Sequence, residues 1–259
     1  HTMDIKKTAI EAANKAAEIL IQKSKEKNAF TMKNAHDIQT EVDLLSEKTI
    51  ISTIKKHFPE HSIFAEESGK QITSSDYLWV IDPLDGTINY SRGIHEVCII
   101  IAVQHKEEII FDLIYQPFTK DLYIAEKGKG AFHNNKKLTV SKETELINMI
   151  IATENSSHME KRKETHKILS NICDKFRNIR IFGCGALTLT KLASGKIDLF
   201  FKTKYNHWDF AAGALLVEEA GGTVTDLQGN PITQHSKEIV ATNALKHKEI
   251  LELLNKANN

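Results

Sequence analysis

Cysteine is scarce and poorly placed for cross-linking. The chain has three, Cys98, Cys173 and Cys184, far apart, odd in number and without a CxxC pair. That pattern argues against a disulfide framework and a structural zinc knuckle, and reads as a reducing compartment. An excess of either charge is also missing. Lys plus Arg and Asp plus Glu stand at 34 each, for a formal net charge of zero. A dominant nucleic-acid surface leaves a basic footprint, so nucleic acid is not an expected partner. No apolar run is long enough to span a bilayer, and no signal-peptide-like apolar stretch opens the sequence. The expected setting is the cytoplasm, with no membrane partner. Gly128-Lys129-Gly130 is a turn that lacks the spacing of a nucleotide-binding glycine loop. Linkers, repeats and low-complexity segments are absent as well.

What remains is an ordinary enzyme-like composition. The 259 residues are 41% apolar and 26% charged, enough for one large domain or two closely joined halves. His1-Thr2-Met3 reads as a cloning remnant and is set aside. Residues 4–27 carry a helical stripe of Ile5, Ala9, Ala12, Ala13, Ala16, Ile19 and Leu20. A second helix is predicted over 41–57, with Leu44, Leu45, Ile50, Ile51 and Ile54 inward and Pro59 as its stop. Strands follow at 61–65 and 78–81, and three short strands joined as hairpins at 97–103, 108–115 and 121–125. The character changes near residue 147. Strands at 149–153, 179–182, 197–201 and 239–242 alternate with helices at 161–173, 187–194, 207–220 and 245–255. The pattern divides the chain into an α+β half, 4–146, and an α/β half, 147–259.

The most telling stretch is Trp79-Val80-Ile81-Asp82-Pro83-Leu84-Asp85-Gly86-Thr87-Ile88-Asn89-Tyr90. An apolar strand runs into two aspartates, and a Gly-Thr pair then starts a helix. Carboxylates hold hard divalent cations such as Mg²⁺. Free N–H groups at a helix start hold phosphate. One loop thus offers both halves of a metal-assisted phosphate site. Asp-Pro and Asp-Gly are also ordinary turn formers, so the loop alone is compatible with a metal-free polar turn.

Other acids stand where they could join it. Glu66-Glu67 ends a strand. Asp43 lies in the first turn of a helix, where an acid also suits the helix dipole. Asp209 opens a helix that is apolar on all sides, and a buried carboxylate there needs a partner.

Together these segments resemble the inositol monophosphatase family of Mg²⁺-dependent, lithium-sensitive phosphatases. The likeness rests on Asp37 to Asp43, Phe64 to Ser68, Trp79 to Tyr90, and Trp208 to Gly213 running on to Glu219-Ala220-Gly221-Gly222. The resemblance implies a layered α-β-α-β-α sandwich of the sugar-phosphatase type and a homodimer. It implies two to three Mg²⁺ per active site, with Mn²⁺ able to substitute. Glu66, Asp82 and the Leu84 carbonyl would hold the first metal, and Asp82, Asp85 and Asp209 the second. Glu66 would also face a third. Gly86 and Thr87 would give N–H groups to phosphate, and Asp43 with the Thr87 hydroxyl would activate the attacking water. No Cys-x₅-Arg loop suggests a covalent phosphoenzyme.

The substrate side departs from the family pattern. Lys202 stands where the family often has an inositol-binding glutamate, and Lys204 follows two residues on. These lysines are either solvated surface charge or contacts to a second anionic group. Cys184, beside Gly185 in the other substrate-contacting stretch, replaces a usual small hydroxyl residue and reads best as a core filler. The expected substrate is a small phosphorylated polyol, sugar or nucleotide, with inositol monophosphate first. Fructose 1,6-bisphosphate and 3′-phosphoadenosine nucleotides or NADP are the alternatives. Some bacterial relatives attach to transcription or ribosome machinery, so a regulatory binding module is the non-enzymatic alternative.

Overall fold

Two sheets stacked between three layers of helices make up the computed structural model of this chain. The structure describes the backbone of residues 2–26, 30–34 and 37–259, and the side chains of 4–26, 40–206 and 211–259. The first half holds α1 (Thr2–Lys23), a hairpin of β1 (Phe30–Asn34) and β2 (Asp37–Thr40), and α2 (Glu41–His57). After these come β3 (Ser62–Ala65), β4 (Gly69–Gln71), β5 (Tyr77–Asp85) and α3 (Thr87–Ser91). A meander follows: β6 (Cys98–His105), β7 (Glu108–Gln116), β8 (Asp121–Glu126), β9 (Gly130–His133) and β10 (Lys136–Lys137). The second half holds β11 (Ile150–Thr153), α4 (Met159–Ile172), β12 (Asn178–Arg180), α5 (Gly185–Ala193) and β13 (Leu199–Lys202). It ends with α6 (His207–Glu219), β14 (Thr223–Thr225), β15 (Ile239–Thr242) and α7 (His247–Asn258).

The larger sheet has eight strands in the order β10-β9-β8-β7-β6-β5-β3-β4, and the smaller has five, β12-β11-β13-β15-β14. β3 runs parallel to β5, and β11 parallel to both β12 and β13.

Strand alternation divides each sheet between two cores. Trp79, Ile81, Ile99, Ile101 and Val103 face α1 and α2, while Val80, Cys98, Ile100 and Ala102 face α5 and α6. In the smaller sheet Phe200 and Ala241 join that central layer. Leu199, Phe201 and Val240 turn outward onto α4 and α7. The order is therefore α1/α2, large sheet, α5/α6, small sheet, α4/α7: the layered sandwich that the resemblance implies. Burying each large apolar side chain contributes about 1.5–3 kcal/mol relative to leaving it in water. Among the described residues no helix is long and apolar enough to cross a membrane.

One expectation fails. Leu44 and Leu45 do not point inward from α2; they are 50% and 37% exposed. The buried face of α2 is Val42, Asp43, Ser46, Glu47, Ile50, Thr53 and Ile54. Helical phase is set by the whole i, i+3, i+4 series. Here that series includes four polar side chains, and three of them, Asp43, Ser46 and Glu47, reach partners outside the helix.

Candidate active site

β5 runs as a buried apolar strand through Ile81 and then shifts register between Asp82 and Asp85. Pro83 lies at the irregularity, where its missing N–H costs the ladder nothing. Residues three apart in a regular strand point to opposite faces. The break lets Asp82 and Asp85 line one cleft of about 340 Å³, together with Glu66, Gly86 and Thr87. Asp82 is buried, and its Oδ1 accepts the Leu84 N–H at 2.9 Å. Asp85 Oδ2 accepts the Ala186 N–H at 2.9 Å and faces the Cys184 thiol at 3.2 Å. Ala186 is in the first turn of α5, so the carboxylate complements that helix's positive end and joins the two halves of the chain.

Gly86 turns the chain into α3 with φ +89° and ψ 34°. The Thr87 hydroxyl lies 3.2 Å from Asp43 Oδ1 and 3.1 Å from the Leu84 carbonyl, and its single proton serves one of them at a time. Asp43 also closes the capping box of α2: its Oδ2 accepts the Thr40 N–H at 2.6 Å and the Thr40 hydroxyl at 2.5 Å. Burial raises the Asp43 carboxyl above the ordinary carboxylate range, and the two Thr40 donors oppose that rise.

Asp43, Ser46 and Glu47 stand at i, i+3 and i+4, one helix face. Each pins a different part of the cleft. Asp43 takes the Thr87 hydroxyl. The Ser46 hydroxyl donates to the Pro83 carbonyl at 3.1 Å. Glu47 accepts the N–H groups of Glu67 and Ser68 at 2.7 and 2.9 Å, holding the turn that carries Glu66.

The opposite wall comes from the second half. Glu154 follows β11, is buried, and accepts from Phe182 N–H at 3.3 Å, Gly183 N–H at 2.8 Å and the Thr188 hydroxyl at 2.9 Å. Burial raises its carboxyl, and the Lys202 charge opposes this. Lys202 lines the cleft, its Nζ 5.1 Å from the Tyr205 ring centre. Arg162 lines it too, held by Nε donating to the Ser156 carbonyl at 2.9 Å. Lys204 is not among the cleft-lining residues. Gly185 is on the wall, with Cys184 buried behind it. Asp209 lies in the first turn of α6, and its side chain lies outside the described residues. A larger hollow of about 660 Å³, between the β6–β7 turn and α6, has none of the expected ligands among its described lining residues.

Sequence reasoning missed Ser46, Glu47, Glu154 and Arg162. Glu154 carried a usable signal, because an apolar strand running into an acid is also how Glu66 and Asp82 are placed. It also missed a pairing: Cys98 and Cys184 lie 3.6 Å apart, Sγ to Sγ. Burial pushes both thiols up.

Five stacked layers with a carboxylate cleft at the strand ends define a sugar-phosphatase-type α/β protein. The model of the inositol monophosphatase family matches residues 2–259, and the chain belongs to that family. It is 34% identical over 257 residues to inositol monophosphatase 2 of Solanum lycopersicum, covering 96% of this chain and 97% of the relative. It is 35% identical over 219 residues to a fructose-1,6-bisphosphatase/inositol-1-monophosphatase of Thermotoga maritima, covering 85% and 83%. The crystal structure of the extragenic suppressor protein suhB of Bartonella henselae matches with a TM-score of 0.93 at 32% identity, over 97% of this chain and 98% of that one. Phosphatase is the class of activity that this membership supports.

Proposed function

We propose that the chain hydrolyses small phosphate monoesters with Mg²⁺ as cofactor, inositol monophosphate being the leading substrate. The observation that carries this reading is the Thr87 hydroxyl beside the Asp43 carboxylate at the edge of the carboxylate cleft. Glu66, Asp82 and Asp85 with the Leu84 carbonyl make a hard, all-oxygen donor set, which fits Mg²⁺ and which Mn²⁺ also suits. Asp209 is the further ligand in this reading. Bound Mg²⁺ supplies charge neutralisation, an acidified water and a stabilised leaving oxygen.

The chain's own groups do the rest. Asp43 accepts the Thr87 proton, which frees the Thr87 oxygen to accept a proton from the attacking water. A carboxyl raised by burial is the better acceptor. The Gly86 and Thr87 N–H groups at the start of α3 meet the phosphate oxygens. Glu154 fixes the backbone of Phe182 and Gly183 as the wall on which a polyol rests. Thr87→Val removes the hydroxyl at nearly constant shape. It should lower kcat on the order of 10²- to 10⁴-fold with little change in KM. An unchanged kcat would sink this relay.

A second reading has specific support. Arg162 and Lys202 bring two cations to the wall where a leaving group projects, and the T. maritima relative is named for a bisphosphatase activity. A substrate with a second phosphate would gain about 1.5–3 kcal/mol per aligned contact. A phosphate-release screen over inositol 1-phosphate, fructose 1,6-bisphosphate, 3′-phosphoadenosine phosphates and NADP ranks the readings. Arg162→Ala/Lys202→Ala should cut kcat/KM for the bisphosphate by roughly ten- to a hundredfold more than for inositol 1-phosphate, and Lys204→Ala should do neither. Equal losses on both substrates would leave inositol monophosphate as the better reading. A relative in Salmonella typhimurium is named Nus factor SuhB, which favours a binding role beside catalysis. The zero net charge gives that role no independent support.

A further inference from the structure

We propose that Cys98, Cys184 and Asp85 form a binding site for a thiophilic divalent cation of the zinc class, set against the back of the cleft. Cys98 opens β6 directly across the ladder from Asp85. Cys184 is the residue before α5. The Sγ atoms lie 3.6 Å apart, and Cys184 Sγ lies 3.2 Å from Asp85 Oδ2. All three ligand atoms lie within 4.8 Å of one another. A tetrahedral zinc ion, with Zn–S of about 2.3 Å and Zn–O of about 2.0 Å, separates two sulfurs by about 3.8 Å and a sulfur from an oxygen by about 3.5 Å. Two edges of the coordination tetrahedron thus stand within a few tenths of an ångström of their required lengths before any ion arrives. A swing of the Asp85 carboxylate, which lines the cleft, closes the third edge. Water from the cleft completes the fourth position.

Ligand softness separates this site from the all-oxygen one. Thiolates favour zinc-class ions, whereas Mg²⁺ keeps to oxygen. Binding breaks two S–H bonds, forms two metal–sulfur bonds and releases two protons to the buffer; no electrons move. It also engages the carboxylate of Asp85. If Asp85 is a cleft-metal ligand, as the proposed function has it, occupancy of the thiol site inhibits turnover.

The test uses the full chain carrying Cys173→Ser, so that the exposed thiol does not contribute. Cd²⁺, as a spectroscopic stand-in for zinc, is titrated without oxygen, and the ultraviolet thiolate-to-metal band and bound metal are measured. The expected result is one tightly bound ion per chain. Adding Cys98→Ala, or Cys98→Ser if alanine unfolds the chain, should weaken binding on the order of tenfold or more. In parallel, Zn²⁺ inhibition of inositol 1-phosphate hydrolysis should be relieved by the same factor, with the Mg²⁺-supported rate unchanged. No band, a band indifferent to Cys98, or a spontaneous loss of two hydrogens by mass, marking a disulfide, would overturn the site. The band and the bound metal stand whether or not the chain proves to be a phosphatase, so the two readings fail separately.

Discussion

An alanine at position 86 would meet two separate penalties. Gly86 sits at φ +89°, in the left-handed region, which costs an L-residue about 1–2 kcal/mol. A Cβ there would lie 2.8 Å from the Glu96 carbonyl oxygen and 3.3 Å from Val97 Cγ1. The nearer atom is backbone and cannot swing aside, so the start of α3 must move, at an overpacking cost of about 1–3 kcal/mol. The sum is roughly 2–5 kcal/mol. At about 2–4 °C per kcal/mol for a chain of this size, melting should fall by roughly 4–20 °C. Moving the start of α3 also moves Thr87, and a shift approaching 1 Å costs about 10²-fold in rate. Gly93 is the control: its φ is +72°, yet a Cβ there meets nothing within 4 Å. Gly93→Ala should carry only the first penalty and keep its kcat. Scanning fluorimetry and phosphate release on both variants make the comparison. Equal melting losses, with full activity in Gly86→Ala, would refute the claim that close approach to Glu96 fixes the catalytic turn.

Three further outcomes are expected. Asp82→Asn should nearly abolish Mg²⁺-supported phosphate release while melting close to wild type, because the amide oxygen can still accept the Leu84 N–H; near-full activity would count against Asp82 as a ligand. Glu154→Gln leaves one oxygen where two now serve three donors, so one part-exposed N–H loses its acceptor at a cost of about 0.5–1.5 kcal/mol by denaturation, with a lower kcat/KM through the loosened 181–183 wall. Asp112 is wholly buried and accepts the N–H groups of Ala125 and Leu216, and burial raises its carboxyl well above the usual 3.8. A folded-state pKa above the unfolded one gives stability that is present below the unfolded value and lost as pH rises through the folded value. Melting should therefore fall with pH from about 4 upward more steeply in wild type than in Asp112→Asn, and parallel profiles would show that Asp112 does not titrate in this way.

Periodicity made the long helices and strands legible, and the family resemblance supplied their layered arrangement. The unbroken apolar run Trp79-Val80-Ile81 reads as a buried strand, and the structure divides those residues between two cores. Strand-end acids located most of the cleft for a similar reason, since apolar strands ending in a carboxylate are easy to see. The phase of α2 was not legible. Leu44 and Leu45 looked like core, but Asp43, Ser46 and Glu47 take that face because their partners lie 20 to 44 residues downstream. The Cys98–Cys184 contact escaped notice for the same reason: it joins two halves 86 residues apart, and no local pattern encodes it. Arg162 reads as one more charge on a charged helix until the fold turns it toward the cleft.

The central helix layer has a consequence for how such a protein can change. α6 is packed on both sides, against β6 and β7 of one sheet and β14 and β15 of the other, and the buried Asp112 carboxylate grips its Leu216 N–H. A helix held from both sheets is costly to displace. Novelty must then enter elsewhere. Arg162, in the first turns of α4, and Lys202, the last residue of β13, reach the rim from the ends of their elements. The architecture thus separates a conserving floor from an exploratory rim, and a lineage could trade one phosphorylated substrate for another without rebuilding the chemistry beneath.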